Sequence, residues 1–193
     1  MSEDRSLGYD AVAAQYIAVR SRVGCEVVAA WAKGVARGGS VLDVGAGSGE
    51  PMIPLLQDAG LEVFAVDASP TMAAAFKARF PNLPIVCEPA EDSAFFNRKF
   101  DGIMAIGLVF LLSEIDQRRL FQSVARALKP GGGFLFSAPE QACSWADVLT
   151  GQPSTSLGIK AYRRILANEG LDVIGGHFDK GGSHYCEARK QAT

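Results

Sequence analysis

A chain of 193 residues, 48% hydrophobic and 21% charged, has the composition of one globular unit, with roughly 70% of its unfolded surface available for burial. Its net charge of −2 and the absence of a basic run argue against a phosphate-backbone partner, so nucleic acid is not expected as a substrate. There is no apolar segment of about 18 residues, and the opening MSEDRSLGYD is polar and acidic rather than a signal peptide, so no membrane partner and a cytoplasmic location are expected. Cys25, Cys87, Cys143 and Cys186 lack CxxC spacing and only His177 and His184 could join them, which predicts free thiols and no metal.

In chain order, Tyr9, Val12, Tyr16 and Val19 recur at three- and four-residue steps, and Val23, Val27, Ala30 and Trp31 do so again. Two helices are predicted, separated near Arg20 to Gly24 and stopped by Gly38 and Gly39. Next comes VLDVGAGSGEP at residues 41–51, an apolar run that reads as a strand buried on both faces and then breaks into alternating glycines. Gly45, Gly47 and Gly49 allow positive φ and close backbone approach, and Pro51 suits the first turn of a helix. Such a strand, turn and helix N-terminus present unpaired backbone N–H groups to a ligand. Gly60 ends the helix, and Leu61 to Val66 forms a second strand ending in Asp67. Ser69 caps a helix with Pro70 in its first turn, and Pro84 to Cys87 is a brief third strand.

Phe100 to Leu112 reads as a fourth strand and a hydrophobic loop. Ser113, with Asp116 three residues on, caps a helix to Leu128, and Gly133 to Pro139 is a fifth strand. The stretch after it holds Glu140, Cys143, Trp145 and Asp147, either an acceptor wall or a partly exposed helical cap. Ser156 to Asn168 is a helix, Leu171 to Phe178 a sixth strand, and HYCEARK from His184 an antiparallel seventh. This alternation requires an α/β fold with a mainly parallel sheet and helices on both faces, its ligands gathering at the carboxyl ends of the strands.

The glycine turn departs from the dinucleotide fingerprint G-x-G-x-x-G, because position 50 is Glu50 rather than glycine or alanine. A carboxylate at that helix start would repel a pyrophosphate, by roughly 1–4 kcal/mol at a few ångströms, and would tolerate a cation. Asp67 lies 67 − 47 = 20 residues past the middle glycine, the separation at which a carboxylate accepts from ribose hydroxyls. With Asp43 and Glu50 beside it, the turn resembles motif I of the class I S-adenosylmethionine-dependent methyltransferases. YDAVAAQY at 9–16 resembles the YDxxAxxY segment that folds over the cofactor in many small-molecule members. EPAEDSAFF at 88–96 is similar to motif II, and KPGG at 129–132 also matches the pattern. The likeness covers roughly residues 9–139, in a domain similar to the ubiquinone/menaquinone-biosynthesis-like group.

The resemblance implies a Rossmann-like, doubly wound, seven-stranded sheet with an antiparallel last strand. It divides a single domain, 1–193, into a helical cover (1–38), a cofactor-binding core (39–139) and a substrate-side loop, helix and hairpin (140–193). It also implies S-adenosylmethionine as cofactor, with S-adenosylhomocysteine as product. The implied contacts are Tyr16 and Arg20 at the methionine end, Asp43, Gly45, Ala46, Gly47 and Gly49 in the turn, and Asp67 at the ribose. Ala68, Ser69, Met72, Ala90 and Glu91 would meet the adenosine, and Ile106 borders the site. The Asn or Asp followed by Pro-Pro-Tyr or Phe of nucleobase- and glutamine-modifying members is missing, so a small, partly apolar acceptor is expected. Tyr9, Phe110, Trp145, His184 and Tyr185 are its candidate contacts, and His184 is the candidate acid–base group. Period-two alternation places His184 and Tyr185 on opposite faces of the last strand. A non-catalytic binding module and a dinucleotide-dependent oxidoreductase are the alternatives, and a monomer or homodimer is expected.

Overall fold

The computed structural model describes residues 4–192; the expected domain span of 1–193 also takes in residues 1–3 and 193, which lie outside the described residues. Strand β1 (Ser40–Val44) is buried at all five positions, as a central parallel strand covered on both faces requires. Around it lie β2 (Glu62–Asp67), β3 (Ile85–Cys87), β4 (Phe100–Ala105), β5 (Leu128–Ser137), β8 (Leu171–Phe178) and β9 (His184–Lys190). They form one sheet in the order β3-β2-β1-β4-β5-β9-β8. β9 pairs antiparallel with both β5 and β8, while β3, β2, β1, β4 and β5 pair in parallel. The doubly wound sheet with an antiparallel last strand is therefore the observed fold.

Side-chain alternation along the strands divides the core in two. Leu42, Val44, Ile103, Phe134 and Phe136 face α5 (Glu114–Ala127) and α6 (Ile159–Asn168) through Phe121, Val124, Tyr162 and Leu166. Val41, Val63, Ala65, Met104 and Leu135 face α2 (Cys25–Ala32), α3 (Met52–Asp58) and α4 (Pro70–Arg79) through Val28, Trp31, Ile53, Leu56 and Phe76. Ser69 and Ser113 cap α4 and α5, accepting from Met72 N at 3.1 Å and Asp116 N at 3.2 Å.

Three departures from the predicted elements matter for the site. The first helical pattern becomes α1 only at Ala13–Val19. Before it, Asp4 ties the chain into turns by accepting from Ser6 N and Gly8 N, at 2.9 and 3.0 Å. Residues 140–156, open between a wall and a helical cap, instead hold a two-stranded hairpin of β6 (Cys143–Ala146) and β7 (Pro153–Ser156). Consequently α6 starts at Ile159, because Ser156 is committed to the hairpin and donates to Pro139 O at 2.7 Å.

Candidate active site

The carboxyl ends of β1, β2, β4 and β5 and the amino end of the antiparallel β9 open on two adjoining cavities. The first is a narrow slot of about 80 Å³, bordered by Gly45, Gly47, Asp67, Ala68, Met72, Ala90 and Glu91. Tyr16 also lines it, as do residues 5–7 and Tyr9 of the N-terminal segment. The second is a chamber of about 560 Å³ reaching from Ile106 and Phe110 to Trp145, His184 and Tyr185. Ile106 and Gly107 line both, so this bend is their shared wall. Ser137 at the end of β5 pins it, accepting from Gly107 N at 2.7 Å.

Each part of the slot follows from local structure. Gly45 turns back with φ 74°, and its N–H donates to Val66 O at 2.8 Å, so β1 and β2 end side by side. Asp67 accepts from Gly47 N at 2.7 Å and Ser69 N at 2.9 Å. A carboxylate has about four lone-pair sites, so two remain for further donors. Burial raises the Asp67 pKa, opposed by those two amides. Burial also pushes Asp43 up to about 7, with Asp67 adding to the shift and Arg20 opposing it. Asp67 at the slot and Asp43 behind its turn are both desolvated carboxyl groups, whose ionised forms a nearby cation would favour.

The N-terminal segment straps the slot shut. Arg5 pairs with Glu91 and Asp92 at 2.7 and 2.6 Å. Tyr9 donates to Asp147 in the β6–β7 turn at 3.1 Å, and Asp10 accepts from Ser69 Oγ at 2.5 Å and Thr71 N at 2.9 Å. The resemblance implies a cover over the cofactor at residues 9–16, but neither the hairpin nor the contacts that anchor the cover are legible in the sequence. Arg5 and Asp147 carry charges with no periodic signal, and only their pairing across the fold reveals the contact.

In the chamber, Phe110 and Trp145 lie with ring centroids 5.4 Å apart, tilted by 45°. His184 is buried, with its ring 5.0 Å from that of Phe178. Its Nδ1 sits 3.1 Å from Ala138 O. A carbonyl only accepts, so Nδ1 holds the proton and Nε2 is the basic nitrogen of the neutral ring. His184 and Tyr185 project to opposite faces of β9, yet both border the chamber because it opens over the strand's end. Tyr185 donates to Asp179 at 2.7 Å.

Of the expected cofactor residues, Tyr16, Gly45, Gly47, Asp67, Ala68, Met72, Ala90, Glu91 and Ile106 meet at the slot. Five do not line it. Arg20 lies on the chamber because the chain bends away after α1, and Asp43 is buried behind the turn. Ala46 packs into the core beside α3. A Cβ on Gly49 would come within 2.6 Å of Phe80 and 2.9 Å of Phe76, so that glycine serves helix packing rather than a ligand. Ser69 is spent capping α4 and bonding Asp10. Tyr9, expected at the acceptor, lines the slot instead. Glu50 points outward, 3.8 Å from Arg79, so it does not supply the repulsion expected of it. His177 bonds Glu187 at 2.9 Å away from both cavities. Phe110, Trp145, His184 and Tyr185 do gather at the chamber. Among the described residues, no group of three or more His, Cys, Asp or Glu could hold a metal, and no helix is long and apolar enough to cross a membrane.

Comparison with known proteins gives matching results. Residues 41–132 match the family described as a methyltransferase domain. An uncharacterised methyltransferase of Mycobacterium tuberculosis is 30% identical over 107 residues, 54% of this chain and 42% of that one. The demethylmenaquinone methyltransferase of Renibacterium salmoninarum is 34% identical over 102 residues, 52% of this chain and 41% of that one. The match thus spans less than half the length of these relatives. Among solved structures, magnesium protoporphyrin IX methyltransferase from Synechocystis PCC 6803 with bound S-adenosylmethionine superposes with a TM-score of 0.74. It has 16% identity and covers 99% of each chain. A glycopeptide N-methyltransferase bound to S-adenosylmethionine gives 0.69 at 24% identity, covering 86% of this chain and 94% of that one. These likenesses show the fold.

Proposed function

We propose that this chain, which carries a methyltransferase domain of class I architecture, moves a methyl group from S-adenosylmethionine in the slot to a small, partly apolar acceptor in the chamber. The observation that carries the reading is the shared wall at Ile106 and Gly107, where a slot with ribose-type and cation-type recognition meets a separate aromatic chamber. The slot residues fit such a donor. Asp67 keeps acceptor sites for two vicinal hydroxyls, Ala90 and Glu91 suit the adenine end, and Tyr16 suits the methionine end, with Asp43 buried behind the turn. About 80 Å³ is below the usual range of roughly 300–1,000 Å³ for a ligand cavity, so the strap of residues 5–9 must lift for loading. The same domain reading keeps 1–38 as cover, 39–139 as cofactor core and 140–193 as the acceptor side.

When bound, the donor supplies a sulfonium methyl whose C–S bond breaks as the bond to the acceptor forms, the electron pair remaining on sulfur as a neutral thioether. The chain's part is positioning and exclusion of water, which together supply on the order of 7–11 kcal/mol in well-aligned systems. Ser137 holds the Gly107 bend, and Phe110 and Trp145 form an apolar wall. An acceptor hydroxyl or protonated amine must also lose a proton, and His184 Nε2 receives it.

Calorimetry with S-adenosylmethionine and S-adenosylhomocysteine, followed by turnover across phenols, thiols, amines and acids, tests the reading. Donor binding with methylation of at least one class is expected. Absence of donor binding overturns it, and binding without turnover in every class points to a non-catalytic module. Full turnover of a hydroxyl acceptor by His184→Ala removes His184 from the mechanism.

A further inference from the structure

We infer that Gly176 is a positioning residue for methyl transfer, a notch in β8 over which His184 holds its basic nitrogen open to an acceptor hydroxyl. This deepens the methyl-transfer reading and rests on it.

A glycine inside a strand needs a reason, because it has no side chain to pack and its flexibility weakens the ladder. Gly176 lies in β8 opposite Cys186, exposed, with its backbone outside the left-handed region that favours glycine. Its conformation would therefore accept alanine. The space beside it would not. A Cβ there would sit 2.9 Å from His184 Nε2, 3.7 Å from Cδ2 and 3.9 Å from Cε1, so its three nearest neighbours all belong to one imidazole. The adjoining Gly175 is different, since a Cβ there would meet nothing closer than 3.6 Å.

The His184 ring is not free to step aside. Its Nδ1 is tied to Ala138 O at 3.1 Å, and Phe178, on the same face of β8 as Gly176, packs with its ring 5.0 Å away. With the proton on Nδ1, Nε2 keeps a bare lone pair, and no group among the described residues donates to it. His184 is only 7% exposed, yet the enclosed side-chain polar atom left without a partner is Ser154 Oγ rather than Nε2, so Nε2 keeps a reachable face. A largely desolvated acceptor of this kind fits an O–H donor brought by a ligand. In the transfer, that proton passes from the acceptor oxygen to Nε2, an oxygen electron pair forms the bond to the methyl carbon, and the C–S pair stays on sulfur. A methyl group in place of the Gly176 hydrogen would push the ring off Ala138 O and turn Nε2 away from that proton.

The chain has two histidines, so isotope-labelled imidazole spectra of the full chain with S-adenosylhomocysteine carry two sets of signals. His184 should show the Nδ1–H form with a bare Nε2, and a proton found on Nε2 overturns the inference without any variant. Gly176→Ala should lose that signature and leave S-adenosylhomocysteine affinity unchanged. It should also lower kcat for a hydroxyl acceptor by about 100-fold, the scale of a lost general base, with KM little altered. Gly175→Ala should keep both signature and kcat, and circular dichroism melts check that each variant is folded. Gly176→Ala with signature and kcat intact overturns the inference. So does a fall in kcat with the His184 signals unmoved, because Gly176 would then act by another route. Turnover of other acceptor classes but of no hydroxyl overturns it as well. If S-adenosylhomocysteine does not bind, or nothing is methylated, the methyl-transfer reading fails instead, and the imidazole signals of Gly176→Ala still decide whether Gly176 places the ring.

Discussion

Asp43 keeps its proton in the folded chain up to a pH of about 7, against an ordinary value of 3.8. Unfolding between these values releases that proton, so stability from this group is full below about pH 4 and lost as pH rises through about 7. Asp43→Asn should therefore raise the melting temperature at pH 8, by up to about 4 kcal/mol equivalent, with the advantage vanishing near pH 4 in thermal scans. A cationic donor favours the ionised carboxylate, so donor affinity should climb from pH 6 to pH 8, and Asp43→Asn should flatten that climb in calorimetry. Asp67→Ala, which deletes the ribose acceptor, should cost donor affinity by about 2–4 kcal/mol, read the same way. Asp67 was legible in the sequence because its spacing from Gly47 and its place at a strand end are both local facts. The side-chain directions of Tyr9 and Glu50 were not legible, because a side chain's direction beyond a bend depends on partners far along the chain, here Asp147 for Tyr9 and Arg79 for Glu50.

Elements were legible where burial imposes a pattern. β1, buried throughout, and α5, capped by Ser113, announce themselves through apolar runs and capping residues. The β6–β7 hairpin does not, since CSWA is mostly exposed and PSTS has no apolar alternation. That hairpin supplies one of the strap's anchors, through Asp147, and this contact was hidden with it. Tyr9→Phe removes the bond to Asp147. It should speed S-adenosylhomocysteine association by about threefold or more in stopped-flow fluorescence, with faster amide exchange in residues 4–12. Gly49 lies at φ 85° under Phe80 and Phe76. Gly49→Ala should cost about 1–3 kcal/mol or more in chemical denaturation, and the folded fraction should keep its donor affinity, as a packing role requires.

Across the whole molecule, the repeated strand and helix pattern made the sheet legible, while the volume and lining of the cavities came only from the assembled fold. The antiparallel β9 pairs with both β5 and β8 and carries His184 and Tyr185 to the chamber. Truncation after Gly182 should therefore remove the chamber wall and strip β8 of its neighbour, with loss of a single cooperative transition in circular dichroism melts. The same insertion sets an order of assembly on the ribosome. Every slot residue has been synthesised by Leu112, whereas the chamber waits for Tyr185 to emerge. A nascent chain thus holds every residue that lines the slot long before it holds those that line the chamber.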